Sequence, residues 1–219
     1  VIKSLTKLKK AKFEIFSGEN GNNLRILERL EEHSLKNLSL KAYFWSNEDI
    51  SLISNFLQKM KNSLETLKLE LISQEIFTGP SQMDELVDIL DGLPGLTSLD
   101  FIAKSGSLRA KQMPILNEKN LLFPNLLSKT PSLKRFRLSL CQPSISRDGF
   151  LSLLKALKGV SATLEKLEID IGTYKPEGDD EKEAVLEFIK SLKSINSLKL
   201  GSLGVSSRQF FDDLIEAIY

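Results

Sequence analysis

The chain has 219 residues, of which 41% are hydrophobic and 27% are charged. This composition is typical of a globular chain and excludes collagen-like and low-complexity classes. The 30 basic and 29 acidic residues nearly cancel to a net charge of +1, and only seven of the basic residues are arginine. Both points disfavour nucleic acid as a partner, because polyanion binding depends on concentrated positive charge and is often mediated by arginine.

The chain contains a single cysteine, Cys141, so no internal disulfide can form. This cysteine usage suits a reducing compartment and predicts an intracellular, cytoplasmic protein. No apolar run approaches the roughly 18–20 residues of a membrane span, so no membrane role is expected. The first residue is Val1 rather than Met, and we therefore expect a processed chain or a piece of a longer one.

One pattern of apolar residues recurs along the whole chain. In residues 64–71 it reads Leu-x-x-Leu-x-Leu-x-Leu. Seven copies of this pattern, some weaker, begin at Leu8, Leu35, Leu64, Leu96, Leu133, Leu164 and Ile195. The alternation at period two predicts a strand with one buried face in each copy. The copies begin 27 to 37 residues apart, which leaves room for a helix after each strand.

Apolar residues at helical spacing follow most of the predicted strands. These predicted helices cover residues 50–60, 83–90, 150–157, 185–192 and 210–218. The first is preceded by Ser46 and, three residues later, Asp49, which resemble a capping box. A unit of strand, loop, helix and loop cannot bury its apolar faces alone, so the units are expected to stack on one another.

This arrangement resembles the leucine-rich repeat family in its long, ribonuclease-inhibitor-like form, over essentially the whole chain. The resemblance implies an α/β fold over a single domain, residues 1–219. It implies a right-handed solenoid, or horseshoe, of about seven repeats, with a parallel sheet on the concave face and helices on the convex face. In that family an Asn or Cys usually follows the second strand leucine by three residues. Only Cys141 fits, so we expect a divergent member with irregular loops, in which Cys141 is a small buried turn residue.

The residues between the strand leucines point to the other face of the sheet, where stacking would align them in three rows. The start row contains Lys10, Asn37, Thr66, Ser98, Arg135, Lys166 and Ser197. The central row contains Lys12, Ser39, Lys68, Asp100, Arg137, Glu168 and Lys199. The end row contains Glu14, Lys41, Glu70, Ile102, Ser139, Asp170 and Gly201.

Charges alternate in sign along the central row from Lys68 to Lys199. One interpretation is that these side chains pair across strands and stabilise the stack by roughly a few tenths of a kcal/mol each. The other is a mixed-charge face that docks a protein with a matching pattern. The start row contains no acid, and its Arg135 and Lys166, with Arg137 nearby, form a basic cluster. This cluster either binds a carboxylate-rich segment or is an ordinary solvated surface.

Two further segments interrupt the regular spacing. Residues 104–112 lie in the longest repeat, and residues 172–183 are acidic and contain Pro and Gly. Both follow a predicted strand, so we expect two loops at the same edge of the sheet. Such loops often carry binding residues. The alternative is a flexible, solvent-exposed loop without a binding role.

The sequence offers little for catalysis. The only histidine, His33, lies at a predicted helix end, and no Cys or His pair has the spacing of zinc ligands. No glycine-rich phosphate-binding motif occurs. The carboxylates at 179–181 are expected to open a helix, where acids suit the helix dipole. We therefore expect no enzyme activity, no cofactor and no metal.

The prediction is a non-catalytic module that binds a protein partner through the concave sheet and the loops that follow its strands. The expected partner-binding residues are Lys68, Asp100, Arg135, Arg137, Lys166 and Glu168. One alternative is a structural subunit of a large assembly, because the first repeat is weak and the last helix is apolar, so neither end carries a polar cap. A regulatory array, such as a GTPase activator or a ubiquitin-ligase substrate receptor, is a third interpretation that the family resemblance allows.

Overall fold

Seven parallel strands form one sheet in the computed structural model of the chain. The structure describes residues 8–16, 23–29, 35–44, 47–73, 90, 93–105, 113–116, 127, 130–140, 143–174, 176, 178–203 and 208–218. The strands are β1 (Lys10–Phe16), β2 (Asn37–Phe44), β3 (Thr66–Ser73), β4 (Ser98–Ser105), β5 (Met113–Leu116), β6 (Arg135–Leu140), β7 (Pro143–Ile145), β8 (Lys166–Tyr174) and β9 (Ser197–Leu203). The sheet order is β1-β2-β3-β4-β6-β8-β9, which follows the order of the chain.

Four α-helices and one short 3₁₀-helix occur in the described residues, and all but the last of them lie between strands. They are the 3₁₀-helix Leu24–Arg29 and the α-helices α1 (Asn47–Met60), α2 (Arg147–Val160), α3 (Asp179–Ser191) and α4 (Arg208–Ile218). The Ser146 hydroxyl accepts a 3.1 Å hydrogen bond from the Gly149 amide and caps α2. The helices expected near 50–60, 150–157, 185–192 and 210–218 are thus confirmed. The helix expected at 83–90 lies outside the described residues, except for Leu90.

The strand register aligns the side chains as the repeated pattern predicts. Lys68 of β3 is the Cα partner of Asp100 in β4, and Arg137 of β6 is the Cα partner of Glu168 in β8. The same register continues at every neighbouring pair from β1 to β9. The start, central and end rows are therefore confirmed as lines of neighbouring residues on successive strands.

The strand leucines lie on one face of this sheet and form the core with the helices. In β3, Leu67, Leu69 and Leu71 are fully buried. Phe56 of α1 and Phe150 of α2 belong to the same buried cluster. Each such side chain contributes roughly 1.5–3 kcal/mol when it is removed from water, so the leucine alternation holds the helices against this face. The opposite face, which carries the three rows, is here called the charged face.

A hydrogen-bond arrangement recurs where the strands begin. The Lys36 carbonyl accepts hydrogen bonds from the amides of Glu65 at 2.8 Å and Thr66 at 2.9 Å. The Glu165 carbonyl accepts from Asn196 at 2.9 Å and from Ser197 at 3.3 Å. The same double acceptance occurs at all six neighbouring strand pairs of the large sheet. Each junction between successive strands is therefore built in the same way.

The strand ends differ from the expected irregular loops. β2 continues through Tyr43 and Phe44, and β3 through Ile72 and Ser73, where these residues pair across the sheet. Aromatic and β-branched residues suit extended backbone, so the chain stays in the sheet where the family pattern places a turn. The position of Cys141 lies outside the described residues.

The two expected loops are also shorter in the structure. The expected loop at 172–183 is wrong over most of its length, because β8 continues to Tyr174 and α3 begins at Asp179. Of the expected loop at 104–112, Lys104 and Ser105 belong to β4, and the rest lies outside the described residues. An additional feature that the sequence did not suggest is a two-stranded parallel sheet formed by β5 and β7.

Candidate protein-binding surface

Ion pairs join neighbouring members of the central row at its C-terminal end. The Lys199 ammonium donates a 2.8 Å hydrogen bond to Glu168 Oε1. Arg137 Nε lies 3.4 Å from Glu168 Oε2, but this buried N–H has no hydrogen-bond partner among the described residues. The hydrogen bond from Lys199, assisted by the positive charge of Arg137, holds the pKa of Glu168 below its ordinary value. Glu168 is therefore a carboxylate shared by two cations.

Two ion pairs form along the end row and the positions that follow it. Lys41 donates a 2.7 Å hydrogen bond to Glu14, and Lys104 donates a 2.9 Å hydrogen bond to Glu70. The bond from Lys41 lowers the pKa of Glu14, and the same contact raises the pKa of Lys41. The pairing expected from the alternating signs thus occurs at several positions of the charged face. Because at least one partner of each pair is well exposed to solvent, each pair contributes little stability.

An aromatic stack lies beside the Lys41–Glu14 pair. The rings of Phe16 and Tyr43 stack with centroids 4.2 Å apart and an angle of 13° between their planes. The Lys41 ammonium lies 5.0 Å from the centre of the Tyr43 ring. Phe16 remains 55% exposed, which makes it an apolar feature on the otherwise polar N-terminal end of the charged face.

A depression of about 330 Å³ lies over β4, β6, β8 and β9. This feature, here called the β6–β9 depression, is lined by Asp100, Arg135, Phe136, Arg137, Lys166, Leu167, Glu168, Ser197 and Lys199. It brings together five of the six residues that the sequence predicts for partner binding. The prediction missed Lys199, although its place at the end of the alternating central row was a usable signal.

The sixth predicted residue, Lys68, lines a second depression over β1, β2 and β3. This β1–β3 depression also measures about 330 Å³. Its lining consists of Lys10, Ala11, Lys12, Asn37, Leu38, Ser39, Thr66 and Lys68. Lys68 is the Cα partner of Asp100, but it lines a different depression from the other five predicted residues. The sequence missed Lys10 and Lys12 because they belong to the weak first copy of the repeat.

Two neighbouring cations of the β6–β9 depression have no ion-pair partner in the part of the chain that the structure describes. Arg135 and Lys166 are Cα partners on β6 and β8, and both are exposed. Neither side chain forms a hydrogen bond or ion pair with a described residue. By contrast, the adjacent Lys134 is paired with Glu165 at 2.9 Å. The depression thus presents two cations available for a ligand.

The carboxylates that open α3 have structural contacts. Asp180 pairs with Arg147, which lowers the pKa of Asp180. The buried Glu181 accepts a hydrogen bond from the Tyr174 hydroxyl and a 2.9 Å hydrogen bond from the Gly178 amide. Their expected place at a helix start is confirmed, and their contacts fix the connection between β8 and α3.

The described residues contain no group of three or more His, Cys, Asp or Glu side chains able to hold a metal ion. His33 and Cys141 lie outside the described part of the chain. Among the helices that the structure describes, none combines the length and apolar character needed to cross a membrane.

No protein-family model matches the chain, and a search of curated proteins also finds no match. The interpretation of the charged face therefore rests on its shape and its charge.

Proposed function

We propose that the chain is a non-catalytic protein-interaction module that binds a protein partner on its charged face. The β6–β9 depression carries this proposal, because it gathers Asp100, Arg135, Arg137, Lys166 and Glu168 around one concavity. Charges of both signs line the depression, and a protein surface can match such a pattern. A polyanion fits it less well, since Asp100 and Glu168 would repel it.

The architecture proposed for this module is a leucine-rich repeat solenoid with the charged face on its concave side. Three observations support it. The strand order of the large sheet follows the chain, the three rows stay in register across it, and the same hydrogen bonds recur at all six strand junctions. Stacked repeats of one strand and one helix produce these features together. The composition supports a non-catalytic role, because the chain has one histidine and one cysteine.

Site-specific photocrosslinking tests the position of the partner. A benzoylphenylalanine at Ser139, in the end row of β6, would report on the charged face. The same group at Asn55, exposed on α1, is the matched control on the helix side. In native extract we expect one defined protein to crosslink from position 139 and not from position 55. Crosslinking from position 55 alone would place the interface on the helices and contradict the proposal.

A charge-reversal pair tests whether the charged face drives the binding. With the crosslinked partner identified by mass spectrometry and purified, Arg135→Glu combined with Arg137→Glu should abolish its binding. Lys59→Glu combined with Lys155→Glu, at exposed positions of α1 and α2, should leave the binding unchanged. Equal losses from the two pairs would show that the net charge, and not the charged face, determines binding.

A second candidate function, a subunit of a larger assembly, is favoured by exposed apolar residues near both edges of the sheet. Phe16 is 55% exposed, and Ile26 and Ile215 are each 40% exposed. If these residues contact neighbours, Phe16→Ser with Ile215→Ser should remove several copurifying proteins at once. The Arg135→Glu, Arg137→Glu pair should then have no effect. The opposite result would support the single-partner module.

A further inference from the structure

We propose that Arg135 and Lys166 form a carboxylate-binding site for a short acidic segment of the protein partner. This inference rests on the proposed function and adds the chemistry of the ligand. It makes the basic cluster the specificity-determining part of the charged face. The arguments are the charge of the depression, the pairing of its ionisable groups and the geometry of the start row.

The charged lining of the β6–β9 depression is unbalanced. Four cations, at positions 135, 137, 166 and 199, face two carboxylates, at positions 100 and 168. The nearby carboxylate of Glu165 is held by Lys134, outside this set. Two further negative charges would balance the lining. A ligand with two carboxylates therefore complements the depression electrostatically.

The pairing pattern shows where those carboxylates would bind. Glu168 already engages Lys199 through a hydrogen bond and Arg137 through its charge. The remaining cations, Arg135 and Lys166, are adjacent and without an ion pair among the described residues. Two neighbouring like charges repel each other, and a bound carboxylate relieves that repulsion. The guanidinium of Arg135 can bind a carboxylate through two parallel hydrogen bonds.

The start row also sets the length of the acidic segment. On either side of Arg135 and Lys166 the row continues with Ser98 and Ser197, which are uncharged hydrogen-bonding residues. Among the described residues, the positive charge of this depression that lacks an ion-pair partner therefore spans two neighbouring strands, about 4.8 Å apart. Alternate side chains of an extended peptide lie about 6.7 Å apart on one side, a distance that the long Arg and Lys side chains can span. The site thus fits a three-residue segment in which the first and third residues are acidic and the middle residue is of any type. A long uniform polyanion does not fit it.

A direct test uses a defined acidic peptide. The probe is a fluorescently labelled peptide of alternating Ser and Glu with blocked termini, and its binding to the whole chain is measured by fluorescence anisotropy. We expect saturable binding that weakens at higher salt. Replacing both cations, as Arg135→Ala with Lys166→Ala, should weaken binding at least about tenfold, because charge-assisted hydrogen bonds are lost. The same probe with Gln in place of Glu should not bind.

The matched control lies in the other depression of the charged face. Lys10→Ala with Lys12→Ala removes the same amount of charge from the start and central rows of β1, and it should change probe affinity by less than about twofold. Arg135→Lys with Lys166→Arg keeps both charges and should retain most of the binding. Urea unfolding of each variant checks that the fold is intact, as expected for exposed positions.

Several outcomes would overturn the carboxylate site. They are no binding of the Glu probe, an equal loss from the β1 pair, and tighter binding of a single-stranded oligonucleotide of equal charge. Failure of the probe with the crosslink from position 139 intact would remove this site and leave the proposed function standing. Probe binding without any crosslinked partner would instead remove the proposed function.

Discussion

The two depressions of the charged face have the same volume, about 330 Å³, but different charged linings. The β1–β3 depression has Lys10, Lys12 and Lys68 as its charged lining residues, with no carboxylate among them. The β6–β9 depression has four cations interleaved with Asp100 and Glu168. Volume therefore does not distinguish the two, and the arrangement of charge does.

If the β6–β9 depression binds the proposed acidic segment, its own acids are what make the basic site selective. In the β6–β9 depression Glu168 holds Lys199 and lies next to Arg137, so the cations left available are two neighbours in known positions. In the β1–β3 depression the lysines are separate, strongly hydrated charges on flexible side chains. We expect the first arrangement to recognise a spaced pair of carboxylates, and the second to attract anions only weakly and without preference.

The largest effects in both regions should be on stability, because core residues lie beneath each depression. Phe136 and Leu38 belong to the linings of the β6–β9 and β1–β3 depressions, but their side chains lie on the core face of the sheet. Phe136 is fully buried and Leu38 is 2% exposed. Phe136→Ala should lower the free energy of unfolding by about 3–5 kcal/mol, and Leu38→Ala by about 2–5 kcal/mol. Urea unfolding measures both. The exposed neighbour Arg135→Ala is the control and should cost less than about 0.5 kcal/mol.

A result for Phe136→Ala below about 1 kcal/mol would contradict the burial of this ring in the core. It would also mean that the floor of the β6–β9 depression adapts to a substitution. In that case the packing of Phe136 in the core would not fix the positions of its chain neighbours, Arg135 and Arg137.

An intermediate effect is expected from removing the acid that organises the β6–β9 depression. Glu168→Gln releases Lys199 and Arg137 from their shared carboxylate and makes the depression more positive. The affinity for the acidic probe should then increase by about threefold, which corresponds to less than 1 kcal/mol, as expected for a partly exposed charge. Glu14→Gln, near the β1–β3 depression, should leave probe affinity unchanged. Weaker binding to the Glu168 variant would instead show that this carboxylate positions the cations for the ligand.

The sequence predicts the strands and the rows because both follow from one repeated pattern. Each copy places its apolar residues at the same offsets, so aligning the copies also aligns the polar residues between them. The parallel register found in the structure, such as Lys68 opposite Asp100, follows from that alignment. The period-two alternation also predicts which face is buried, with Ile102 as an exception. This end-row residue lies on the charged face and is only 4% exposed.

The details of the site could not be predicted, because they depend on side-chain conformations. From the sequence alone, Glu168 could pair with Arg137, with Lys199 or with both, and only the structure shows that it is shared by both. Lys68 and the other five residues line different depressions, and this depends on where the surface is concave, which no row pattern encodes. The continuation of β2 through Tyr43 depends on cross-strand pairing and on the stack with Phe16.

The smallest expected effect is on the pH dependence of stability, which should differ between an ion-paired residue of the β6–β9 depression, Glu168, and one without an ion pair among the described residues, Lys166. The pKa of Glu168 is lower in the folded chain than its ordinary value of 4.5, mainly through the hydrogen bond from Lys199. A carboxyl group of this kind stabilises the fold fully above its ordinary pKa, and the contribution is lost as the pH falls through the lowered folded pKa. Glu168→Gln should therefore be less stable than the wild type by up to about 1 kcal/mol near pH 6. This difference should shrink as the pH falls from about 6 to about 3, as urea unfolding at these two pH values would show.

Lys166→Ala provides the matched comparison, because Lys166 forms no ion pair with a described residue. Its stability difference from the wild type should be near zero and should not change between these two pH values. If Lys166→Ala instead loses stability at neutral pH as Glu168→Gln does, then Lys166 has an acidic partner within the fold. The cation would then be unavailable to a ligand, and the carboxylate site would lose one of its two residues. Measuring how the stability of these two variants depends on pH therefore tests which charged groups of the β6–β9 depression are paired and which remain available to a ligand. The contrast between the two depressions depends on that assignment.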